Sequence, residues 1–255
     1  MNVQGTTACW PGYSHREALL ALHRGTYEPR LGRLGITHVP LCPQNRGSVD
    51  EETAVCLRQA FPRVRFRLHA NVRVCPSSRP GMGDAASCEI DSAHFTAIAR
   101  VSALLEADAY TLHAGARSAG TPESVRAAVL ALEERLGIPV GVEPMYPDPK
   151  QTWLLSSWDE YRWLLESDIR YALDLSHLNI LARRSRWTDY GLTGALLAHP
   201  RCIEIHVSDN DGHCDRHALL TRAPWWWGCL EEAAKVNPGA VIFSEGNQLR
   251  GTPRP

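Results

Sequence analysis

Eight short apolar runs alternate with amphipathic segments along almost the whole of this 255-residue chain. The runs have the length and composition of strands. They lie near Val3–Cys9, Ile36–Leu41, Val64–Asn71, Ala109–His113, Pro139–Glu143, Tyr171–Leu175, Ile203–Ser208 and Val241–Glu245. Strands that alternate with helices form βαβ units and a parallel sheet. Eight such units predict an α/β fold, the (β/α)8 TIM barrel.

Capping residues mark several of the predicted helix ends. Ser48 and Glu51 have the spacing of a capping box, in which side chains and backbone N–H groups bond reciprocally. Thr121 followed by Pro122 predicts an N-cap with proline at the first helical position. Gly137 is placed to end the same helix.

The pattern also bears on domain organisation. No linker-like or low-complexity segment interrupts the alternation, so residues 1–255 are predicted to form a single domain. Only ten residues follow Glu245, and their glycine and proline content argues against an eighth helix. We therefore expect the barrel to lack its last helix. The region Ser14–Arg33, or a partner subunit, is expected to cover the groove beside the eighth strand.

The composition is that of an ordinary globular protein. Hydrophobic residues make up 44% of the chain, charged residues 22%, and the net charge is −1. No overall field therefore attracts nucleic acid or a membrane surface. The eight cysteines form no C-x-x-C pair, which argues against a zinc ribbon or a thioredoxin-type site. No leader peptide or membrane-spanning run is recognised, so a reduced, cytoplasmic location is the expectation.

The last six predicted strands share one chemical feature, an ionisable residue at the carboxyl end. These residues are His69, His113, Glu143, Asp174, His206 and Glu245. The intervals between them are close to the length of one βα unit. Because the carboxyl ends of all strands meet at one mouth of a barrel, we expect these side chains to converge there. Imidazole and carboxylate together favour Zn, Mn or Fe over Ca or Mg.

The loop after the seventh run adds further candidate ligands. The stretch Cys202–Leu220 begins as a strand and breaks at the turn SDNDG. It offers His206, Asp209, Asp211, His213, Asp215 and His217. His177 lies just beyond the sixth run and is a further candidate. Taken alone, the stretch is equally compatible with a polar surface loop that carries scattered histidines.

This arrangement resembles the xylose isomerase-like superfamily of TIM barrels, and within it the endonuclease IV family of AP endonucleases. The resemblance covers the chain from about residue 3 to residue 247. In that family nine residues hold a trinuclear zinc cluster. The matching positions are His69, His113, Glu143, Asp174, His177, His206, Asp215, His217 and Glu245. The Asp-Arg-His element of the family is present as Asp215-Arg216-His217.

The resemblance implies a division of these residues among three ions. The implied sets are His69, His113 and Glu143; Glu143, Asp174, His206 and Glu245; and His177, Asp215 and His217. Two or three zinc ions are therefore expected, with manganese or iron as the alternatives. The mononuclear sugar isomerases and epimerases of the superfamily need only the second set. Their two glutamates, here Glu143 and Glu245, shuttle the proton.

The segments that contact DNA in the endonuclease IV family differ in this chain. The segment after His69 reads ANVRVCPSSRPGMGD and lacks the expected aromatic residue. Pro144 stands where the family has a polar residue, and Asp-Arg-His runs into ALLTRAP instead of a glycine-containing turn. The loop SDNDG also resembles a large group of sugar-phosphate isomerases. A small or phosphorylated substrate is therefore expected, nucleic acid is not favoured, and a homodimer is compatible with the short C-terminus.

Two stretches near the predicted mouth carry candidate substrate contacts. The guanidinium groups of Arg183, Arg184 and Arg186 suit phosphate or carboxylate. Trp225, in the run of three tryptophans, is placed to stack on a ring. A solvated basic loop is the alternative interpretation of the arginines.

Four functions fit these observations. The preferred one is a multinuclear metallohydrolase that acts on a phosphoester or another anionic substrate, with Glu143 and Glu245 as catalytic residues. Five candidate ligands favour it, because they have no role in a mononuclear isomerase: His69, His113, His177, Asp215 and His217. The alternative is a metal-dependent sugar or sugar-phosphate isomerase or epimerase that uses the two glutamates as its acid/base pair. The third possibility is a multinuclear non-haem iron enzyme, and the fourth is a non-enzymatic metal-binding module.

Overall fold

A computed structural model describes residues 1–76, 78–79 and 81–249 of the chain. The strands are β1 (Val3–Gly5), β2 (Tyr27–Glu28), β3 (Gly32–Arg33), β4 (His38–Leu41), β5 (Arg65–Leu68), β6 (Ala109–His113), β7 (Val140–Glu143), β8 (Arg170–Asp174), β9 (Cys202–Val207) and β10 (Val241–Ser244). The α-helices are α1 (His15–Gly25), α2 (Glu51–Ala60), α3 (Ala93–Leu105), α4 (Pro122–Leu136), α5 (Trp158–Glu166), α6 (Leu175–Ser185), α7 (Tyr190–Ala198) and α8 (Trp227–Val236). None of these helices is long and apolar enough to cross a membrane.

Eight of the strands form one parallel sheet in the order β1-β10-β9-β8-β7-β6-β5-β4. Neighbours in this sheet are also neighbours in the sequence of barrel strands, which is the topology of a (β/α)8 barrel. At the other edge, β1 meets the segment just before β4 at a bridge between Gln4 and Gly35. Gly5 N donates to Gly35 O at 2.9 Å, and Gly35 N donates to Val3 O at 2.8 Å. The eight predicted strands are confirmed, and the barrel is nearly closed.

The helices pack on the outside of the sheet through apolar residues. Phe66 and Leu68 of β5 are fully buried and belong to the same hydrophobic core as Leu57 of α2 and Ile98 of α3. Because side chains alternate along a strand, the residues between and after them face the barrel axis. The alternation therefore directs the polar residues of each strand end into the barrel mouth.

The helix caps agree with the sequence in one case and correct it in another. Thr121 caps α4, with proline at the first helical position, and the helix ends at Gly137 with a φ of 64°. The capping box predicted from Ser48 and Glu51 is wrong. Asp50 caps α2 instead, and its side chain accepts a hydrogen bond from the N–H of Thr53 at 2.9 Å. An acceptor directly before the helix reaches this donor without the two-residue offset of Ser48.

The hairpin of β2 and β3 covers the side of the barrel next to β10. Glu28 of β2 is fully buried, and it accepts hydrogen bonds from Ser244 Oγ and, at 3.2 Å, from Leu220 N. Residues 15–33 thus provide the cover expected from Ser14–Arg33. The glycine- and proline-containing end, Gly251–Pro255, lies outside the described residues.

Candidate metal centre

Nine residues form a connected cluster at the carboxyl-end mouth of the barrel. This nine-residue cluster consists of His69, His113, Glu143, Asp174, His177, His206, Asp215, His217 and Glu245. Five of them end, or directly follow, a strand, and His206 is the penultimate residue of β9. His177 lies in the first turn of α6, while Asp215 and His217 lie in the loop after β9. The convergence of these side chains is the arrangement expected from the sequence.

Glu143 lies at the centre of the cluster and contacts three histidines through both of its oxygens. Its Oε2 is 3.6 Å from His69 Nε2 and 3.3 Å from His206 Nδ1. Its Oε1 is 3.6 Å from His177 Nδ1. Burial opposes ionisation of Glu143, but the positive charge of the nearby His206 outweighs it and lowers the pKa of the carboxyl group. Glu143 is therefore an ionised carboxylate in contact with several ligand-type atoms.

Three groups within the cluster bring ligand atoms within 4.8 Å of one another. They are His69, His113 and Glu143; Glu143, Asp174 and His177; and Asp174, His206 and Glu245. The first group is identical to one implied set, and the third contains three of the four residues of another. Glu143 and Asp174 each belong to two groups, so both are placed to bridge. Any of the three groups is sufficient to hold a metal ion.

Asp215 and His217 complete the cluster at its outer edge. His217 Nε2 lies 2.6 Å from Asp215 Oδ2, and His217 Nδ1 lies 3.9 Å from Glu245 Oε2. Asp215 Oδ2 is also 3.8 Å from His177 Nε2. His217 has a φ of 46°, a conformation that is uncommon for a residue with a side chain. The loop thus holds this pair against the cluster, beside His177, with which the family resemblance groups it.

Hydrogen bonds fix the orientation of two residues in the cluster. His177 Nδ1 is 2.9 Å from the backbone O of Pro144, to which it can only donate, so its Nε2 faces Asp174 Oδ2 at 3.5 Å. Asp174 Oδ1 accepts from Ser176 N at 2.6 Å and caps α6. Asp174 therefore acts as a helix cap through one oxygen and presents the other to the cluster.

The chemistry of the cluster fits a metal centre. Three buried atoms that face its interior have no hydrogen-bond partner among the described residues: Glu143 Oε2, Asp174 Oδ2 and His206 Nδ1. Buried polar atoms without partners are costly and rare, and these three are of the kinds that bind zinc. Burial lowers the pKa of His69 to about 3, so its imidazole is neutral, which is the form that binds a metal.

The histidines at the other side of the cluster balance its carboxylates. Burial lowers the pKa of His177 and His217, but neighbouring carboxylates outweigh it and raise both values to about 10. For His177 the main partners are Asp174 and Asp215, and for His217 they are Asp215 and Glu245. The protons on these imidazoles supply positive charge that offsets the carboxylates, as a bound cation would. Metal binding would release them, so metal affinity is expected to rise with pH.

Comparison with known proteins identifies the fold. No family model and no curated protein matches this chain. A D-tagatose 3-epimerase-like protein superposes with a TM-score of 0.61 and 15% identity, over 97% of this chain and 91% of the other. D-allulose 3-epimerase from Methylomonas sp., in complex with D-allulose, gives 0.57 and 15% over 98% and 87%. An AP endonuclease of family 2 from Brucella melitensis gives 0.52 and 13% over 98% and 96%.

The chain has the fold of the xylose isomerase-like TIM barrels. Proteins named for sugar epimerisation and for AP endonuclease activity share this fold. The fold therefore leaves the reaction open, and the choice depends on the residues of the site.

A buried ion network, not predicted from the sequence, lies beneath the cluster. Arg67 Nη1 donates to Glu204 Oε1 at 3.0 Å, and Arg67 Nε donates to Asp108 Oδ1 at 2.8 Å. Glu204 Oε2 is 3.0 Å from His206 Nε2. Burial opposes ionisation of Glu204, but the hydrogen bond of His206 and the charge of Arg67 lower its pKa to about 2. An ionised Glu204 accepts the Nε2 proton and leaves Nδ1 of His206 facing Glu143.

A second missed group supports His113. Asp84 Oδ1 lies 3.6 Å from His113 Nδ1. Asn71 Nδ2 is 3.1 Å from that oxygen and 3.2 Å from the same histidine nitrogen. Both partners come from the segment after His69, which the sequence analysis considered only for its lack of an aromatic residue. Carboxylate and amide partners of this kind orient a ligating imidazole.

Three of the candidate ligands in the loop after β9 do not join the cluster. Asp209 pairs with Ala218 through two backbone hydrogen bonds of 2.8 Å. Asp211 accepts from the N–H of His213 at 2.9 Å and forms an ion pair with Arg216 at 2.8 Å. These residues shape the loop that carries Asp215 and His217, the two cluster residues at the outer edge.

The candidate substrate contacts separate into two places. Arg183, Arg186 and Trp225 line a cavity of about 400 Å³ between α6 and the loop before α8. Arg184 is not among the described residues that line it, and its Nη2 donates to the backbone O of His213 at 3.2 Å. No member of the nine-residue cluster lines the described part of this cavity either. The cavity therefore lies beside the cluster.

Proposed function

We propose that this chain is a multinuclear metal-dependent hydrolase that acts on a phosphoester or another anionic substrate. The observation that carries the proposal is the continuity of the nine-residue cluster, whose ligand-type atoms lie within 4.8 Å of one another from group to group. A mononuclear isomerase needs four of these residues. The remaining five are also ligand-type side chains and lie in the same cluster, which a single metal site does not explain.

Two or three zinc ions are the proposed cofactor, with manganese or iron as the alternatives. The residues proposed to hold them are the three sets implied by the endonuclease IV resemblance, with Glu143 shared between two. Its Oε2 lies 3.6 Å from His69 Nε2 of one set and 3.3 Å from His206 Nδ1 of the other, so the carboxylate stands between the two sets. Metal ions of this type, when bound, lower the pKa of water and polarise a phosphoryl oxygen. Glu204 and Pro144 O orient His206 and His177 for ligation.

The exposure of the cluster indicates how a substrate would reach it. The side chains of His113, Asp215 and His217 are 24%, 17% and 19% exposed, whereas those of Glu143 and Asp174 are almost fully buried. A substrate would therefore approach along the edge formed by the three exposed residues. The buried carboxylates exclude bulk water from the interior side, which strengthens electrostatic interactions there.

Two measurements test the proposal. The first is elemental analysis of protein purified without added metal, with two or three equivalents of transition metal expected. The second offers the metal-loaded protein three inputs under identical conditions: small phosphodiesters, a DNA duplex with an abasic site, and a panel of aldoses and ketoses in deuterated water. Hydrolysis of a small phosphodiester is expected, with poor incision of the duplex because the chain has no excess positive charge.

The alternative function is a sugar or sugar-phosphate isomerase or epimerase. One observation favours it specifically: Asp174, His206 and Glu245 come together as a group, and Glu143 lies 3.3 Å from His206. This places two buried glutamates around one metal-binding group, as a proton shuttle requires. Incorporation of solvent deuterium at a sugar carbon, without hydrolysis and with one metal per chain, would select this function over the hydrolase.

A further inference from the structure

We infer that the cavity between α6 and the loop before α8 binds an organic phosphate that carries a planar ring. We call it the arginine cavity, because Arg183, Arg186 and Arg222 line it together with the indole of Trp225. Its volume of about 400 Å³ lies in the range of small-molecule sites. That this ligand is the substrate rests on the proposed function, whereas its binding in the cavity does not.

The charges that line the arginine cavity are unbalanced. Arg186 and Arg222 form no ion pair with any residue in the described part of the chain, and Arg183 contacts a histidine rather than a carboxylate. Asp211 also lines the cavity, but Arg216 pairs with it at 2.8 Å. Guanidinium groups match phosphate oxygens in pairs of parallel hydrogen bonds. Three arginine side chains thus line the cavity without a carboxylate partner of their own in the described part of the chain, which favours an anionic ligand.

The wall that carries Trp225 is held in place by its neighbours. Trp225 Nε1 donates to Asn179 Oδ1 at 3.0 Å, and Asn179 Nδ2 donates to Asn210 Oδ1 at 2.8 Å. The ring of Tyr190 meets the indole edge-on, with centroids 5.5 Å apart. An aromatic surface held in this way loses little freedom when a ring stacks on it. This surface, beside three cations, is the reason for assigning a ring-bearing phosphate instead of phosphate alone.

Hydrogen bonds connect the lining of the arginine cavity to the nine-residue cluster. A smaller cavity of about 260 Å³ shares four lining residues with it and reaches Asp209, just beyond β9. Asn210 Nδ2 donates to Ser176 O at 2.8 Å, and Ser176 Oγ donates to Asp215 Oδ1 at 3.2 Å. Two residues thus link the lining of the cavity to the exposed edge of the cluster. A ligand in the cavity would therefore lie against the loop after β9 that also carries Asp215.

Calorimetric titration of the metal-free chain tests this inference, after chelator treatment and dialysis. The probes are phenyl phosphate, inorganic phosphate and the uncharged phenyl glucoside. We expect saturable binding of phenyl phosphate, weaker binding of inorganic phosphate and none of the glucoside. Arg186→Gln and Arg222→Gln should each weaken the binding of phenyl phosphate by about tenfold. Arg184→Gln is the matched control, because Arg184 is two positions from Arg186 and carries the same charge but is not among the described residues that line the cavity. Binding of phenyl phosphate to this variant should be unchanged.

The ring and the charge are tested separately. Trp225→Ala should reduce the affinity for phenyl phosphate to the affinity for inorganic phosphate. Trp225→Phe keeps an aromatic ring and should retain most of the extra affinity for phenyl phosphate. Failure of the metal-free chain to bind phenyl phosphate, or an equal loss in Arg184→Gln, would overturn the inference. Normal binding in a metal-loaded chain that cleaves no phosphoester would leave the inference standing and refute the hydrolase instead.

Discussion

Replacing Glu204 by Gln should impair metal binding although Glu204 is not itself a candidate ligand. Its carboxylate contacts Arg67 Nη1 and His206 Nε2, each at 3.0 Å. An ionised carboxylate only accepts hydrogen bonds, so Nε2 carries the proton and Nδ1 faces Glu143 at 3.3 Å. The amide of Gln has one accepting oxygen. If that oxygen faces Arg67, the NH2 group faces Nε2. The neutral imidazole that metal binding requires would then carry its proton on Nδ1, the atom that would bind the metal.

The effect on stability follows from the burial of the ion pair. The side chains of Arg67 and Glu204 are only 8% and 1% exposed. Removing one partner of a buried pair costs about 3–5 kcal/mol of unfolding free energy. We expect the lower end, about 3 kcal/mol, because Arg67 keeps its 2.8 Å contact with Asp108. In a domain of this size each kcal/mol corresponds to roughly 2–4 °C, so the melting temperature should fall by roughly 6–12 °C.

A double-mutant cycle in the metal-free state measures the pair. Arg67→Met leaves a buried carboxylate without its main partner, whereas Arg67→Met with Glu204→Gln removes both charges. The combined loss should therefore be smaller than the sum of the single losses by at least about 1.5 kcal/mol. Competition with a chromogenic chelator should show metal affinity about 10–100-fold weaker in Glu204→Gln. Additive losses together with unchanged metal affinity would refute the reasoning.

Three further predictions concern the cluster and a helix cap. His217→Ala should lower the metal content by one equivalent with the fold retained, because this residue lies at the exposed edge of the cluster. Loss of all metal in elemental analysis would contradict the assignment of His217 to one ion at that edge. Glu143→Gln should abolish turnover in a steady-state assay, since a neutral amide replaces the bridging carboxylate, and near-normal activity would exclude that role. Burial raises the pKa of Glu160, but hydrogen bonds from Arg117 and from the N–H and Oγ groups around Ser157 outweigh it and lower the value below 4.5. The stability that ionised Glu160 confers is therefore present above about pH 4.5 and lost in acid. At pH 7 Glu160→Gln should melt at a lower temperature than the unmodified chain, and this difference should shrink as the pH falls to about 3.

The barrel and the cluster were predictable from local patterns, whereas the contacts around them were not. Hydrophobic alternation locates each strand, and the parallel topology then brings strand ends such as His69 and Glu245 to one mouth. The partner of a buried residue can lie anywhere in the chain. Arg67 and Glu204 are 137 positions apart, and no local signal joins them. The same limit applies to Arg184 and Arg186, which look equivalent in sequence and differ only in which of them lines a cavity.

Even so, the alternation of β5 and β9 contains a signal for the missed network. Residues two apart on a strand face the same side, so Arg67 and Glu204 lie directly beneath His69 and His206 in the barrel. A buried charge must be paired, which means that two opposite charges in one layer of the same barrel should find each other. The equivalent position on β10 is Phe243, whose ring lies 5.5 Å from the Arg67 guanidinium and 6.2 Å from the His206 ring. This lower layer fixes the orientation of His206, so substitutions in it should change metal binding although none of its residues is a candidate ligand.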